Sequence, residues 1–146
     1  MTRVFLDSSV LFAAVASPKG GSGVILDLCQ HQRITAVVSR LVLIETGRNI
    51  RTKLQPDKLA AYYRLLERTP FAVSSPPMPE VTFPYHRIIA PKDAPILAAA
   101  IENRCGYLVT LDRRDFMTPA IQSAKLPIRI LTPGDFLQTY AANQAK

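Results

Sequence analysis

The sequence predicts an α/β protein in which a parallel sheet is covered by helices on both faces. Short β-rich segments alternate with helical segments along most of the chain, which is the pattern of parallel sheets. The 146 residues are enough for one domain with its own core, and 48% hydrophobic with 20% charged residues is a globular composition. We therefore expect residues 1–146 to form a single domain.

The first half of the chain contains three predicted strands, rich in apolar and β-branched residues, at 3–6, 35–38 and 71–73. Four helices accompany them. An apolar run predicts a helix over 10–15, and the turn Ser17-Pro18-Lys19-Gly20 precedes a second over about 21–32. Ser39 is the expected cap of a third helix, and a turn at Gln55-Pro56-Asp57 precedes a fourth. These last two helices are predicted over about 40–54 and 58–68.

The second half begins with a proline-rich connection from Ser74 to Lys92, which predicts a surface loop with one short strand near 81–83. Asp93 then stands at a helix N-cap position with Pro95 in the first turn, and Gly106 is expected to end that helix. The remaining predicted elements are strands at 107–110 and 128–131, a short helix around Ala120, and a final helix opened by Thr132-Pro133-Gly134-Asp135.

The net charge limits the classes of partner. The chain has 18 Lys and Arg against 11 Asp and Glu, a formal charge of +7, with a pI near 9.8. This balance favours a polyanionic partner, although many basic domains bind none. Cys29 and Cys105 lack metal-ligand spacing, and we expect them to be reduced and buried. No apolar run approaches the length of a membrane span and no signal peptide is recognised, so a soluble, cytoplasmic protein is expected.

Three carboxylates follow predicted strands and are expected at one edge of the sheet. Asp7 and Asp112 come directly after strands, and Glu45 lies in the second turn of the helix after the strand at 35–38. In parallel α/β sheets, the reactive edge is the one at the carboxyl ends of the strands. Asp93 joins these acids if the proline-rich connection carries the chain back across the sheet.

Each acid also has an ordinary structural explanation. An N-cap accounts for Asp7 or Asp93, and a turn accounts for Asp115. Glu45 could pair with basic neighbours on its own helix: Arg48, Arg51 and Lys53. No single explanation of this kind accounts for the ordered set.

Acids gathered in one cleft raise one another's pKa, and a divalent cation would relieve this repulsion. Hard oxygen ligands without a histidine or thiolate favour Mg²⁺ or Mn²⁺ over zinc. His31 and His86 each lack a second ligand at metal spacing. Because a carboxylate-held metal in a basic protein suits phosphodiester cleavage, a nuclease is the natural inference.

The motifs around the acids are V-F-L-D-S-S-V-L at Asp7, L-V-L-I-E-T at Glu45, K-D-A-P-I-L-A-A-A at Asp93, and Y-L-V-T-L-D-R-R-D-F at Asp112 and Asp115. In their order and spacing, over nearly the whole chain, these motifs resemble PIN-domain ribonucleases, the family that includes VapC-type toxins of toxin–antitoxin pairs. Ser9 stands where the family commonly has asparagine, so the hydrogen bond to the site from that position is expected to differ.

The resemblance implies a three-layer α/β/α sandwich with a central parallel sheet and metal-dependent cleavage of RNA. It implies that Asp7, Glu45, Asp93 and Asp112 are the catalytic and principal metal-site acids for Mg²⁺ or Mn²⁺, with Asp115 as a fifth metal ligand. It leaves open whether an antitoxin protein or a second copy of the chain is a partner. Basic residues that are candidates to hold the phosphates of RNA are Lys19, Arg48, Arg51, Lys92, Arg113 and Arg114.

Two other functions remain as alternatives. A haloacid-dehalogenase-like phosphatase expects D-x-D directly after the first strand, and Asp7-Ser8-Ser9 lacks the second aspartate. A non-catalytic RNA- or protein-binding module on the same scaffold is the alternative of a different class, and the retention of all the acids argues against it.

Overall fold

The centre of the molecule is a parallel sheet of five strands, as given by a computed structural model of residues 1–146. The strands are β1 (Arg3–Leu6), β2 (Thr35–Ser39), β3 (Ala72–Ser74), β4 (Tyr107–Val109) and β5 (Arg129–Leu131). Their order across the sheet is β3-β2-β1-β4-β5, and every pairing is parallel. The predicted fold class is confirmed.

Nine helices and one 3₁₀ turn, Phe83–Arg87, surround the sheet. They are α1 (Ser8–Ala16), α2 (Gly21–Gln30), α3 (Arg40–Lys53), α4 (Pro56–Arg68), α5 (Pro79–Thr82), α6 (Ala94–Glu102), α7 (Arg113–Phe116), α8 (Pro119–Ser123) and α9 (Pro133–Gln144). Helix α1 packs against α2, α3 and α4, whereas α6 packs against β2, β4 and α5. No single helix combines the length and apolar character of a membrane span; α1 and α2 reach them only together, across a bend of 99°.

Strand β1 lies at the middle of the sheet and is the point where its winding reverses. Phe5 of β1 lies beside Val37 of β2 on one side and Leu108 of β4 on the other. The chain moves outward from β1 to β2 and β3, then crosses back to place β4 on the opposite side of β1. Ligand sites of open α/β sheets lie at such switch points, outside the carboxyl ends of the strands.

The core is a cluster of 31 buried hydrophobic residues that includes Phe5, Leu97 and Phe136. Cys29 and Cys105 belong to it, and both are buried, as the sequence predicted. At about 25 cal/mol per Å² of apolar surface, burial of this cluster is the main favourable contribution to folding. The core covers both faces of β1, β2 and β4, and so fixes the strand ends that position the acids.

The prediction of a strand near 81–83 is wrong. This segment forms α5 and then the 3₁₀ turn, and each begins with a proline in its first turn, Pro79 and Pro84. Proline breaks a helix interior but suits the first helical position, where its missing N–H has no partner to lose. The same effect places Pro56 inside α4, where a turn was predicted.

Gly106 does not end α6, contrary to the prediction. The helix ends at Glu102, and the chain leaves it through Arg104, which has a positive φ of 56°. The N–H of Cys105 donates to the carbonyl of Ala100 at 3.1 Å, the hydrogen bond of a Schellman motif, which compensates the left-handed arginine. Gly106 instead donates its N–H to the carbonyl of Arg3 at 3.0 Å, at the start of β4.

Candidate active site

A cavity of about 390 Å³ lies at the carboxyl ends of the central strands, and four of the predicted acids line it. Asp7 follows β1, Glu45 lies on α3 after β2, Asp93 precedes α6, and Asp112 follows β4. The crossover from β3 to β4 brings Asp93 to this edge, as the sequence required. Four segments that are distant in sequence thus contribute one carboxylate each.

Asp7 is the most enclosed of these acids, with 5% of its surface exposed. Its Oδ1 accepts the N–H of Ser8 at 2.8 Å, and its Oδ2 accepts the hydroxyls of Ser9 at 3.1 Å and Thr110 at 2.7 Å. Burial raises the pKa of Asp7, and these hydrogen bonds to the charged form oppose the rise. The carboxylate is held in one orientation by three donors.

Ser9 joins the two loops that carry Asp7 and Asp112. Its hydroxyl donates to Asp7 and accepts the backbone N–H of Leu111 at 3.0 Å, next to Asp112. The serine at this position therefore makes one hydrogen bond to an acid of the cavity and one to the loop that carries Asp112.

Glu45 does not form the ion pairs considered from the sequence. No lysine or arginine makes a salt bridge with it, and its Oε2 accepts the hydroxyl of Ser8 at 3.2 Å. Burial raises the pKa of Glu45, and the charges of Asp7 and Asp93 raise it further. Its carboxylate therefore belongs electrostatically to the acidic cavity.

Asp93 occupies the N-cap position of α6 without capping the helix. Its backbone is helical, with φ −101° and ψ −15°, and its side chain accepts no hydrogen bond from the first turn. Burial raises the pKa of Asp93, while Lys92, whose Nζ lies 3.0 Å from Oδ2, opposes the rise. The capping explanation of Asp93 is wrong, and its carboxylate is available to the cavity.

The last two acids have different positions. Asp112 lines the cavity, and its Oδ1 caps the short helix α7 by accepting the N–H of Asp115 at 3.0 Å. Asp115 does not line the cavity; its Oδ2 lies 2.9 Å from Lys92 Nζ, and this hydrogen bond lowers the pKa of Asp115. Asp115 thus lies at the rim, connected to Asp93 through Lys92.

Sequence reasoning missed three kinds of lining residue: the amide Asn49, the cation Lys53 and the apolar side chains Phe12, Ile96 and Phe116. Asn49 lies four residues after Glu45 and Lys53 four residues after that, so all three share one face of α3. This helical spacing could have identified them. Of the six basic candidates, only Lys92 lines the cavity.

The donor set fits a hard divalent cation. Every acid that lines the cavity offers carboxylate oxygens, and no histidine or cysteine lines it. In their present rotamers, no three of these side chains form a ready ligand cluster. Asp93 is held by Lys92 and Asp7 by its hydroxyl donors, so a shared ion would require rotation of some side chains.

Solved structures similar to this chain share its fold. VapBC2 from Rickettsia felis, bound to a DNA fragment from its promoter, is 15% identical with a TM-score of 0.64, over 90% of this chain and 98% of that one. DNA-bound VapBC from Salmonella typhimurium is 18% identical with a TM-score of 0.64, over 91% and 99%. VapC20 from Mycobacterium tuberculosis, a sarcin-ricin loop cleaving toxin, is 15% identical with a TM-score of 0.59, over 84% and 95%.

A search of curated proteins finds no match. The sequence profile of the PIN domain, however, matches residues 3–114, which include Asp7, Glu45, Asp93 and Asp112. With the sheet order and the strand-end cavity described above, this match shows that the chain belongs to the PIN domain family.

Proposed function

We propose that this chain is a metal-dependent ribonuclease that hydrolyses phosphodiester bonds in RNA. The observation that carries the proposal is the meeting of four carboxylates, from four separate segments of a PIN domain, in one cavity. PIN domains form a family of nucleases, and these acids are the ones expected from the resemblance. Asp7, Glu45, Asp93 and Asp112 would hold Mg²⁺ or Mn²⁺, with Asp115 as a fifth acid at the rim.

A bound divalent ion would supply neutralisation of phosphate charge and a lowered pKa for an attacking water. The chain's own residues orient and tune the acids. Ser8, Ser9 and Thr110 fix both oxygens of Asp7. Glu45 has a pKa raised by burial and by neighbouring charges, so its carboxylate accepts a proton more readily than an exposed glutamate.

The basic surface supports an RNA substrate. Both salt bridges of the chain involve Lys92, so no other lysine or arginine is neutralised by a carboxylate contact. Lys53 lines the cavity, and Arg113 and Arg114 follow Asp112 on α7 at its edge. We propose that these unpaired cations contact phosphates on either side of the cleaved bond.

We propose further that the protein is the toxin of a toxin–antitoxin pair. Two of the similar structures are VapBC assemblies, and a third is a VapC toxin. An exposed surface on α3 and α4 supports a protein partner, because Ile44 and Tyr63 are 57% and 49% exposed there and Arg48 and Arg51 line the same groove. Apolar groups beside unpaired arginines suit an antitoxin segment with apolar and acidic side chains.

The nuclease proposal is tested with purified protein and single-stranded or structured RNA. Cleavage is expected with Mg²⁺ or Mn²⁺ and should stop with EDTA, and calorimetry should detect binding of either metal. If the protein binds RNA but neither cleaves it nor binds metal, the result supports the non-catalytic binding module instead.

The toxin proposal needs a separate experiment. Expression of the wild-type chain should arrest growth, and Asp7→Asn should relieve the arrest. For the surface, Ile44→Glu should prevent capture of the protein encoded beside this chain while leaving cleavage intact. If Ile44→Glu instead converts a dimer to a monomer, the surface joins two copies of the chain.

A further inference from the structure

Lys92 forms both salt bridges of the chain, and they join two acids. Its Nζ lies 3.0 Å from Asp93 Oδ2 and 2.9 Å from Asp115 Oδ2. The lysine lines the acidic cavity, Asp93 lines it too, and Asp115 lies at its rim. One ammonium therefore bridges a carboxylate inside the site and one outside it.

The ammonium occupies the kind of position that a metal ion would use. A cation within hydrogen-bond distance of two carboxylate oxygens relieves their repulsion, and a divalent ion shared by the same oxygens would do so more strongly. The two cations cannot use the same lone pairs at once. Any ion held by Asp93 must displace Lys92 from Oδ2 or bind the remaining oxygen.

The position of Lys92 makes displacement feasible. Its side chain is 68% exposed, against 10% for that of Asp93, so the ammonium can move into water while the carboxylate stays in the cavity. A flexible four-carbon stem allows this movement without a change in the backbone. Asp93 itself is held by the start of α6 and by the buried residues that follow it.

We propose that Lys92 is an internal counter-cation that competes with the divalent metal for Asp93 and Asp115, and so sets the metal concentration at which the site becomes active. This inference rests on the proposed function, because it concerns the same acidic site. In the metal-free protein, Lys92 neutralises part of the cavity charge through its contacts with Asp93 and Asp115. When metal binds, Lys92 leaves these oxygens and lies free at the cavity edge.

The test is the metal affinity of Lys92→Met, measured by calorimetry with Mn²⁺ and Mg²⁺ at fixed ionic strength. Removal of a competing unit charge at this distance is expected to tighten binding by about tenfold. The melting temperature of the metal-free variant should also fall, because the acids lose their counter-charge. Lys92→Arg keeps the charge and should therefore bind the metals with the wild-type affinity.

Lys53→Met is the matched control. Lys53 lines the same cavity and makes no salt bridge, so its removal takes away the same charge without breaking a contact to an acid. A general charge effect alone should change the affinity by no more than about twofold, given the screening of exposed charges in salt.

The outcomes separate this inference from the proposed function. If the wild-type protein binds neither metal, the proposed function fails. If it binds metal but Lys92→Met shows unchanged or weaker binding, Lys92 does not compete and the inference is overturned. An equal gain in Lys53→Met and Lys92→Met overturns it as well, since the effect would then be one of net charge. Circular dichroism of each variant checks that the fold is retained.

Discussion

The hydroxyl of Thr110 donates a 2.7 Å hydrogen bond to Oδ2 of Asp7, across 103 positions in the sequence. The hydroxyl oxygen of Thr110 in turn accepts the backbone N–H of Asp112 at 3.0 Å. Thr110 is fully buried at the end of β4, beside the end of β1. One hydroxyl therefore fixes the orientation of Asp7 and the position of Asp112.

Thr110→Val should destabilise the metal-free protein by about 1–3 kcal/mol, because it removes a hydrogen bond to a buried carboxylate without changing the side-chain volume much. The measurement is the free energy of unfolding in urea with EDTA. Thr110→Ser keeps the hydroxyl and should lose less stability than the valine variant. A valine variant as stable as the wild type would show that this hydrogen bond does not contribute to stability.

The buried carboxylate of Asp7 should make stability depend on pH. Its pKa in the folded protein lies above the ordinary value of 3.8, so the folded state holds the proton more tightly than the unfolded chain. Its contribution to stability is therefore present below pH 3.8 and is lost as the pH rises through the raised folded-state pKa.

Asp7→Asn lacks this titration, so in EDTA the stability of the wild type relative to the variant should decline as the pH rises above the ordinary carboxyl pKa of 3.8 and through the raised pKa of Asp7. Thermal unfolding of the two proteins across this range measures the difference. Asp115, whose pKa is lowered, contributes with the opposite sign but is common to both proteins. If the stabilities of the two proteins change with pH in parallel, the pKa of Asp7 is not raised in the folded protein.

Asp93→Asn should separate chemistry from stability. Since the Asp93 side chain makes no capping hydrogen bond, the melting temperature should stay near the wild-type value. Cleavage at limiting Mg²⁺ should fall by at least about tenfold to a hundredfold, the loss that even an outer partner of a metal ligand causes. Asp135→Asn, in the first turn of α9 and outside the cavity, is the control and should remain active. A fully active Asp93→Asn would remove this residue from the proposed site.

The paired replacement of Arg113 and Arg114 by alanine should weaken RNA binding and flatten its dependence on salt. Each lost phosphate contact reduces the counterions released on binding, by roughly 0.7 in the log–log slope for a single strand. Fluorescence anisotropy at several salt concentrations gives the slope. Arg64 and Arg68 are a matched exposed pair on α4, which does not line the cavity. Their replacement by alanine should leave the slope unchanged. If both double replacements change the salt dependence of RNA binding equally, Arg113 and Arg114 make no specific phosphate contacts.

The architecture could be predicted because the strands are short, apolar and separated by helical segments. Asp7 and Asp112 follow their strands directly, so their placement needed only the rule that parallel strands end at one edge. Asp93 needed more, because its position depends on the crossover from β3 to β4, and no local pattern encodes the side of β1 on which β4 pairs.

The errors came from residues whose effect depends on their place in an element. Pro56, Pro79 and Pro84 favour the first turn of a helix, whereas they were interpreted as breakers. Arg104 takes a left-handed conformation that glycine usually supplies. The bridge from Lys92 to Asp115 spans 23 positions, so only the folded chain shows it.

Because β4 pairs with β1 and not with β3, the site is completed late during synthesis of the chain. Asp7, Glu45 and Asp93 are made first, but β1 lacks its neighbour β4 until residues 107–109 have been added. Asp7 gains the Thr110 hydroxyl only then, and Asp112 follows two residues later. A nascent chain therefore carries three of the four acids without an assembled cavity, and the site forms only after β4 and Asp112 have been made.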